Sequence, residues 1–229
     1  MTTRFAVASA LLVLSAGPVF GQGAQIFDQG SFTITTSGQR SGREDFRIEG
    51  TPGSTGVEYV ARATVVFGDR RLTPRLSSDS SGAPSAYVIE SKGTTTGTER
   101  WSGSISRGRV SARINSARGE SAREYVVTDG ALIIDDDVYH QYFFVARRNS
   151  EGSVAIVIPR RNTQMVVKVA TSGTEHLTIG TTDIEARHIV ITEPSGSTRD
   201  IWVDSKGRVL KVAIQSRNII ALRDDPPQG

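Results

Sequence analysis

Between Val57 and Phe67 the chain alternates. Val57, Tyr59, Ala61, Ala63, Val65 and Phe67 fall on one face of an extended segment, while Glu58, Arg62 and Thr64 fall on the other. Period two predicts a strand with one face buried. Residues 109 to 114 repeat the pattern: Val110, Ala112 and Ile114 oppose Arg109, Ser111 and Arg113, which places the arginines on a solvated face. From Gly30 onward the same grammar recurs, with runs rich in Val, Ile, Thr, Tyr and Phe separated by polar turns such as Ser37-Gly38, Gly68-Asp69, Arg107-Gly108, Arg118-Gly119 and Gly180-Thr181. Short connectors favour antiparallel neighbours. Roughly ten to twelve such runs are too many for one flat open sheet. The expected fold class is therefore all-β: a single curved antiparallel sheet forming a half-barrel or barrel, with a sandwich as the alternative.

One segment departs from the alternation. In residues 137 to 148, Val138, Tyr142 and Val145 recur at helical spacing beside Tyr139, Phe143 and Ala146. Asp135, Asp136 and Asp137 precede them and Arg147-Arg148 ends the run, which suits a helix macrodipole with an aspartate cap. A short helix over 137–148 is expected. Val154 to Ile158 is apolar on both faces and predicts a buried strand. The stretch Asp200 to Ile214 reads as two strands around a hairpin turn at Asp204-Ser205-Lys206-Gly207, where Gly207 can take positive φ.

The N-terminus changes the picture of where the chain works. Arg4 precedes an apolar run from Phe5 to Ala16, followed by Gly17-Pro18 and small residues, the pattern of a secretory signal peptide over residues 1–21 with cleavage near 21–24. The run is shorter than the roughly 20 residues of a membrane span. The expectation is an exported bacterial protein, periplasmic or secreted, with no integral membrane span in the mature chain. It comprises one β-rich domain over 25–223 and a flexible tail over 224–229. The chain contains no cysteine, which excludes disulfides, thiolate metal sites and a lipid-modified Cys. Its formal charge of +3 falls to +2 without Arg4, and its arginines are dispersed, so no nucleic-acid partner is expected.

Candidate chemistry is sparse. No G-x-S-x-G, H-E-x-x-H, P-loop or G-x-G-x-x-G motif occurs, and no catalytic residue, metal or cofactor is assigned. A possible polar site gathers Asp136 and His140, four apart on the expected helix, with the pair Arg160-Arg161, whose forks match carboxylate or phosphate. The aromatic set Tyr139, Tyr142, Phe143 and Phe144 reads either as a lid over an apolar groove or as cover for the end of the sheet.

The segment DDDVYHQYFFVARR and the closing pattern GTTDIEARHIVIT…STRDIWVDSKGRVLKVAI resemble uncharacterised exported bacterial β-proteins. In character they are similar to the lipoprotein-localisation factors LolA and LolB. That resemblance implies a curved, incompletely closed barrel with helical lid elements around an apolar cavity, and no catalytic set. The chain lacks the lipobox Cys of the membrane-anchored members. The first expectation is thus non-enzymatic binding of a lipid or other hydrophobic ligand by Tyr59, Val65, Tyr139, Tyr142, Phe143, Trp202 and Leu210. The alternatives are an interaction module that pairs with another envelope protein along a strand edge, and a hydrolase using Asp136, His140 and a distant Ser or Asp.

Overall fold

The computed structural model describes residues 23–148 and 151–228; the expected signal peptide and Gly229 of the tail lie outside them. Fifteen strands form one sheet: β1 (Gln25–Thr36), β2 (Gln39–Gly53), β3 (Gly56–Phe67), β4 (Arg70–Ser78), β5 (Pro84–Gly93), β6 (Gly97–Ser106), β7 (Arg109–Ser116) and β8 (Gly119–Val126) run as a meander. Then come β9 (Leu132–Ile133), the helix α1 (Tyr142–Arg147), β10 (Gly152–Ile158), β11 (Thr163–Ile179), β12 (Thr182–Thr192), β13 (Thr198–Val203), β14 (Val209–Ile214) and β15 (Ile219–Arg223). The spatial order is β8 to β1, then β15 down to β9, so the first and last strands meet in the middle, from Phe32 opposite Arg223 to Thr36 opposite Ile219.

The alternation behaves as the sequence predicts. In β3, Tyr59, Ala61 and Val65 are buried while Glu58 and Arg62 are exposed, and in β7 Val110 and Ala112 are buried between exposed Arg109, Ser111 and Arg113. The hairpin at 204–207 also forms: Gly207 has φ +76°, and Asp204 Oδ1 accepts the backbone N–H groups of Lys206 (2.9 Å) and Arg208 (2.8 Å). An aspartate bonding its own turn is the physical reason Asp is favoured there.

Three expectations are corrected. The half-barrel or barrel does not form: the sheet is open and not strongly curled, with β8 at one end and β9 at the other. No ladder joins those ends, because β9 is two residues long and pairs only with β10, while β8 is exposed along nearly all its length. The apolar face is instead covered by the segment 131–148, whose Leu132, Tyr139, Tyr142, Phe143 and Phe144 join the same buried cluster as Phe32, Ile48, Leu72 and Tyr87. Covering the face removes its apolar area from water as closure would.

The sheet is also not wholly antiparallel. β9 and β10 run parallel, with Leu132 opposite Ile156, and the connection between them, which carries α1, is the long crossover that parallel strands require. Finally, the helix is shorter than 137–148. Asp137 sits at φ +61°, outside the right-handed helical region, and α1 spans only Tyr142–Arg147 with no side-chain cap. Tyr142 to Ala146 are all buried, so α1 is held by packing on every side rather than by an amphipathic stripe.

Candidate functional site

The three aspartates do not cap the helix. Each is met by an arginine from elsewhere. Asp135 Oδ2 accepts from Arg160 Nε (2.9 Å) and from the Tyr87 hydroxyl (3.0 Å). Asp136 pairs with Arg161 and lies 3.8 Å from Arg217, and Asp137 binds Arg217 (2.6 Å) and Arg70 of β4 (3.0 Å). Arg160, Arg161 and Arg217 arrive on two similar corners. After β10 and after β14, a single 3-10 turn (Pro159–Arg161, Gln215–Arg217) ends on an asparagine in the left-handed region, Asn162 (φ 51°) and Asn218 (φ 50°). Burial pushes the Asp135 carboxyl above its ordinary range, with Arg160 opposing, and burial raises the Tyr87 phenol well above its usual value.

Of the four residues of the expected polar site, Asp136, Arg160 and Arg161 come together, and His140 does not join them. His140 Nδ1 instead meets the buried Glu44 of β2, whose carboxylate also accepts the backbone N–H groups of Tyr139 (2.7 Å) and His140 (3.3 Å). Phe46 stacks on the imidazole. His140 Nε2 is buried and has no hydrogen-bond partner among the described residues, so no hydroxyl completes the arrangement a Ser–His hydrolase requires. Among those residues no group of three or more His, Asp or Glu is placed to hold a metal ion.

The seven expected ligand contacts fall into two separate places. Tyr59, Val65, Tyr139, Tyr142 and Phe143 are buried in the main core. Trp202 and Leu210 lie in a second cluster with Ala186. There Trp202 is fully occupied: its indole N–H donates to Glu175 (2.9 Å), His188 stacks on it with centroids 4.4 Å apart, and Lys211 Nζ lies 4.1 Å from its ring centroid. His188 is itself held between Glu175 and Asp200, each at 2.9 Å.

The other tryptophan behaves differently. Trp101 of β6 is buried against Tyr87, and its indole N–H has no partner among the described residues. The hydroxyl of Tyr125 on β8 is likewise buried and unpaired, and burial raises its phenol pKa. Both side chains line one recess of about 70 Å³, walled by Ala83, Ile105, Val110, Val127, Ile133 and Val157. Buried polar groups are nearly always hydrogen-bonded, so two residues with unpaired ones on a single recess, which Ser106, Arg107, Thr128 and Asp129 also line, define the candidate site. Sequence reasoning did not reach them. One local signal exists: Gly103 shares a strand face with Trp101, and a Cβ there would stand 2.3 Å from the indole Cη2, so Trp-x-Gly in a strand marks an indole lying over its neighbour.

The chain matches no known protein family, and no curated protein matches it. Among solved structures it is similar to a β-barrel-like protein of the domain of unknown function DUF1849 from Brucella abortus. The identity is 8%, with 86% of this chain and 95% of that one covered, and the TM-score is 0.52. It also matches a DUF1089 family protein from Pseudomonas aeruginosa at 15% identity, covering 89% and 95% with a TM-score of 0.40. The Brucella likeness is one of fold alone. The Brucella structure is that of a β-barrel-like protein of unknown function and not specifically a lipoprotein-localisation factor, and the open sheet departs from the barrel that the resemblance to LolA and LolB implies.

Proposed function

We propose that the mature chain acts in the bacterial cell envelope without chemistry of its own, binding a short apolar group that carries a hydrogen-bond acceptor in the recess between Trp101 and Tyr125. The carrying observation is the pair of buried, unpaired polar groups on one recess whose wall mixes Ile105, Val110, Val127, Ile133 and Val157 with Ser106, Arg107, Thr128 and Asp129. An acceptor oxygen between them would satisfy the indole N–H and the phenol O–H, each of which otherwise carries a desolvation penalty of about 1–3 kcal/mol. Size limits the ligand. One water needs roughly 10–15 Å³ on the same scale, so about 70 Å³ admits the end of a chain and not a whole lipid. The test uses a Trp202→Phe background, which leaves Trp101 as the single tryptophan. Methyl octanoate should shift the Trp101 emission saturably while octane does so more weakly. No saturable change with either, up to the solubility limit, rejects this reading.

The second reading is a protein partner that pairs along β8. The outer edge of this strand is free, and Val126 at its end is 70% exposed. A strand added there would slow hydrogen exchange across Gly119–Val126 in an envelope extract. Exchange as fast as in the purified protein removes that reading.

A further inference from the structure

Arg147, the last residue of α1, is held without a carboxylate. Its guanidinium carbon lies 5.5, 5.4 and 5.3 Å from the ring centroids of Phe27, Tyr59 and Phe143, within cation–π range of all three. No hydrogen bond or ion pair engages its N–H groups among the described residues. A Cβ at Gly207 would stand 3.8 Å from its Cγ, which places that turn beside its aliphatic stem. The side chain lines a recess of about 510 Å³ together with Ile26, Asp28, Gln29, Lys206 and Arg208.

The charges that the described residues bring there can be assigned one by one. Asp28 is buried and taken by Arg223, at 2.8 and 3.1 Å. Arg208 is taken by Asp204 at 2.7 Å. Among the described residues Arg147 and Lys206 remain without a carboxylate partner, and both line the same space beside Gln228. Both also border a neighbouring recess, where Glu185 is the further carboxylate and Arg187 the further cation.

We propose that this recess binds the phosphoryl group of a phosphate monoester. The Arg147 fork would take two oxygens and Lys206 would supply the second charge. A phosphate monoester carries a charge of about −1.5 to −2 at neutral pH, which matches the two cations without a partner among the described residues, and an arginine fork suits it bidentately while lysine acts as a point charge. The three rings fix the guanidinium in advance, so less side-chain freedom is lost on binding. Ile26, 43% exposed, and Phe27 offer an apolar wall for whatever carries the phosphoryl group. This inference is independent of the Trp101 recess, whose lining shares no residue with this one.

Calorimetric titration of the purified protein with inorganic phosphate, and separately with phosphatidylcholine vesicles containing phosphatidic acid, tests it. Saturable binding to phosphate is expected, about tenfold weaker in Arg147→Lys, which keeps the charge but loses the fork, and about threefold weaker in Lys206→Gln. Lys206 is exposed in a turn, so its substitution remains informative if Arg147→Lys unfolds the chain. Binding to vesicles that is stronger per phosphate and weakened by the same variants assigns the group to a lipid headgroup. Binding to free phosphate alone assigns it to a soluble ester. No saturable heat with either titrant, or wild-type affinity in both variants, overturns the proposal.

Discussion

The 131–148 segment and the β6–β8 wing border the same recess, yet they are built in opposite ways. The segment is buried through most of its length, and although the Tyr139 hydroxyl, His140 Nε2 and Gln141 Nε2 find no partner among the described residues, its carboxylates, the Tyr142 hydroxyl and two of its backbone N–H groups are met from distant strands: Glu44 from β2, Arg70 from β4, Tyr87 from β5 and Arg199 from β13. In the wing only Trp101, Val110 and Ala112 are buried. Its charges pair across neighbouring strands in solvent, as in Arg109–Glu124 (3.2 Å) and Arg113–Glu120 (3.3 Å). Buried, partnered groups are costly to disturb and solvent-exposed pairs contribute little. One side of the recess is therefore fixed and the other is free to adapt.

The largest expected effect is on the fixed side. Glu44→Ala would leave the backbone N–H groups of Tyr139 and His140 and the His140 ring without their acceptor. The expected loss is about 3–5 kcal/mol. At 2–4 °C per kcal/mol for a chain of this size, the melting temperature should fall by roughly 10 °C. A loss under about 1 kcal/mol would mean that the segment is not fastened by this carboxylate and that the contrast with the wing is overstated.

A smaller effect with a pH signature is expected from Asp135→Asn, which removes the titrating carboxyl facing Arg160 while keeping its shape. Because burial holds the Asp135 carboxyl above its ordinary range, the folded state keeps a proton there in a pH range where the unfolded chain has lost it. In that window this group makes stability fall as pH rises, from the ordinary aspartate value near 3.8 up to the higher folded value. The variant should lose that slope. Denaturant titrations of both proteins between pH 3 and 7 measure it, and parallel stability curves would contradict the assignment.

The smallest effect belongs to the wing. Arg113→Ala should change stability by less than about 0.5 kcal/mol, with the β8 amides exchanging faster than those of β1 or β15 in both proteins. A change above 1 kcal/mol would show that the wing is as tightly held as the segment.

Period-two patterning was legible because each strand declares its own faces. Val57 to Phe67 and Arg109 to Ile114 needed no partner to be read. The number of strands was harder to read, since short, polar or wholly buried runs such as β8 and β9 carry little alternation. The aspartates were visible as a cluster, and the local reading gave them the nearest helix to cap. Their actual partners stand far along the chain: Arg160 and Arg161 lie 25 residues from Asp135 and Asp136, Arg70 and Arg217 lie 67 and 80 from Asp137, and Glu44 stands 96 from His140. Contacts over such separations leave no period in the chain. For the same reason Trp202 looked like a cavity residue: nothing local shows that Glu175, His188 and Lys211 already occupy its N–H and both its faces. Trp101, with its unpaired N–H, drew no attention at all.

The pairing of β1 with β15 joins residues such as Thr35 and Ile220, 185 positions apart. Strands made first and last thus form the centre of the sheet, and its two edges come from the middle of the chain. A nascent chain that has not yet reached Ile219 can assemble two half-sheets, each with an open inner edge, but it cannot join them. The joining step carries the largest loop-closure entropy in the molecule and should come late in folding. Loss of the final strand would accordingly not trim the protein at its border; it would divide it through the middle.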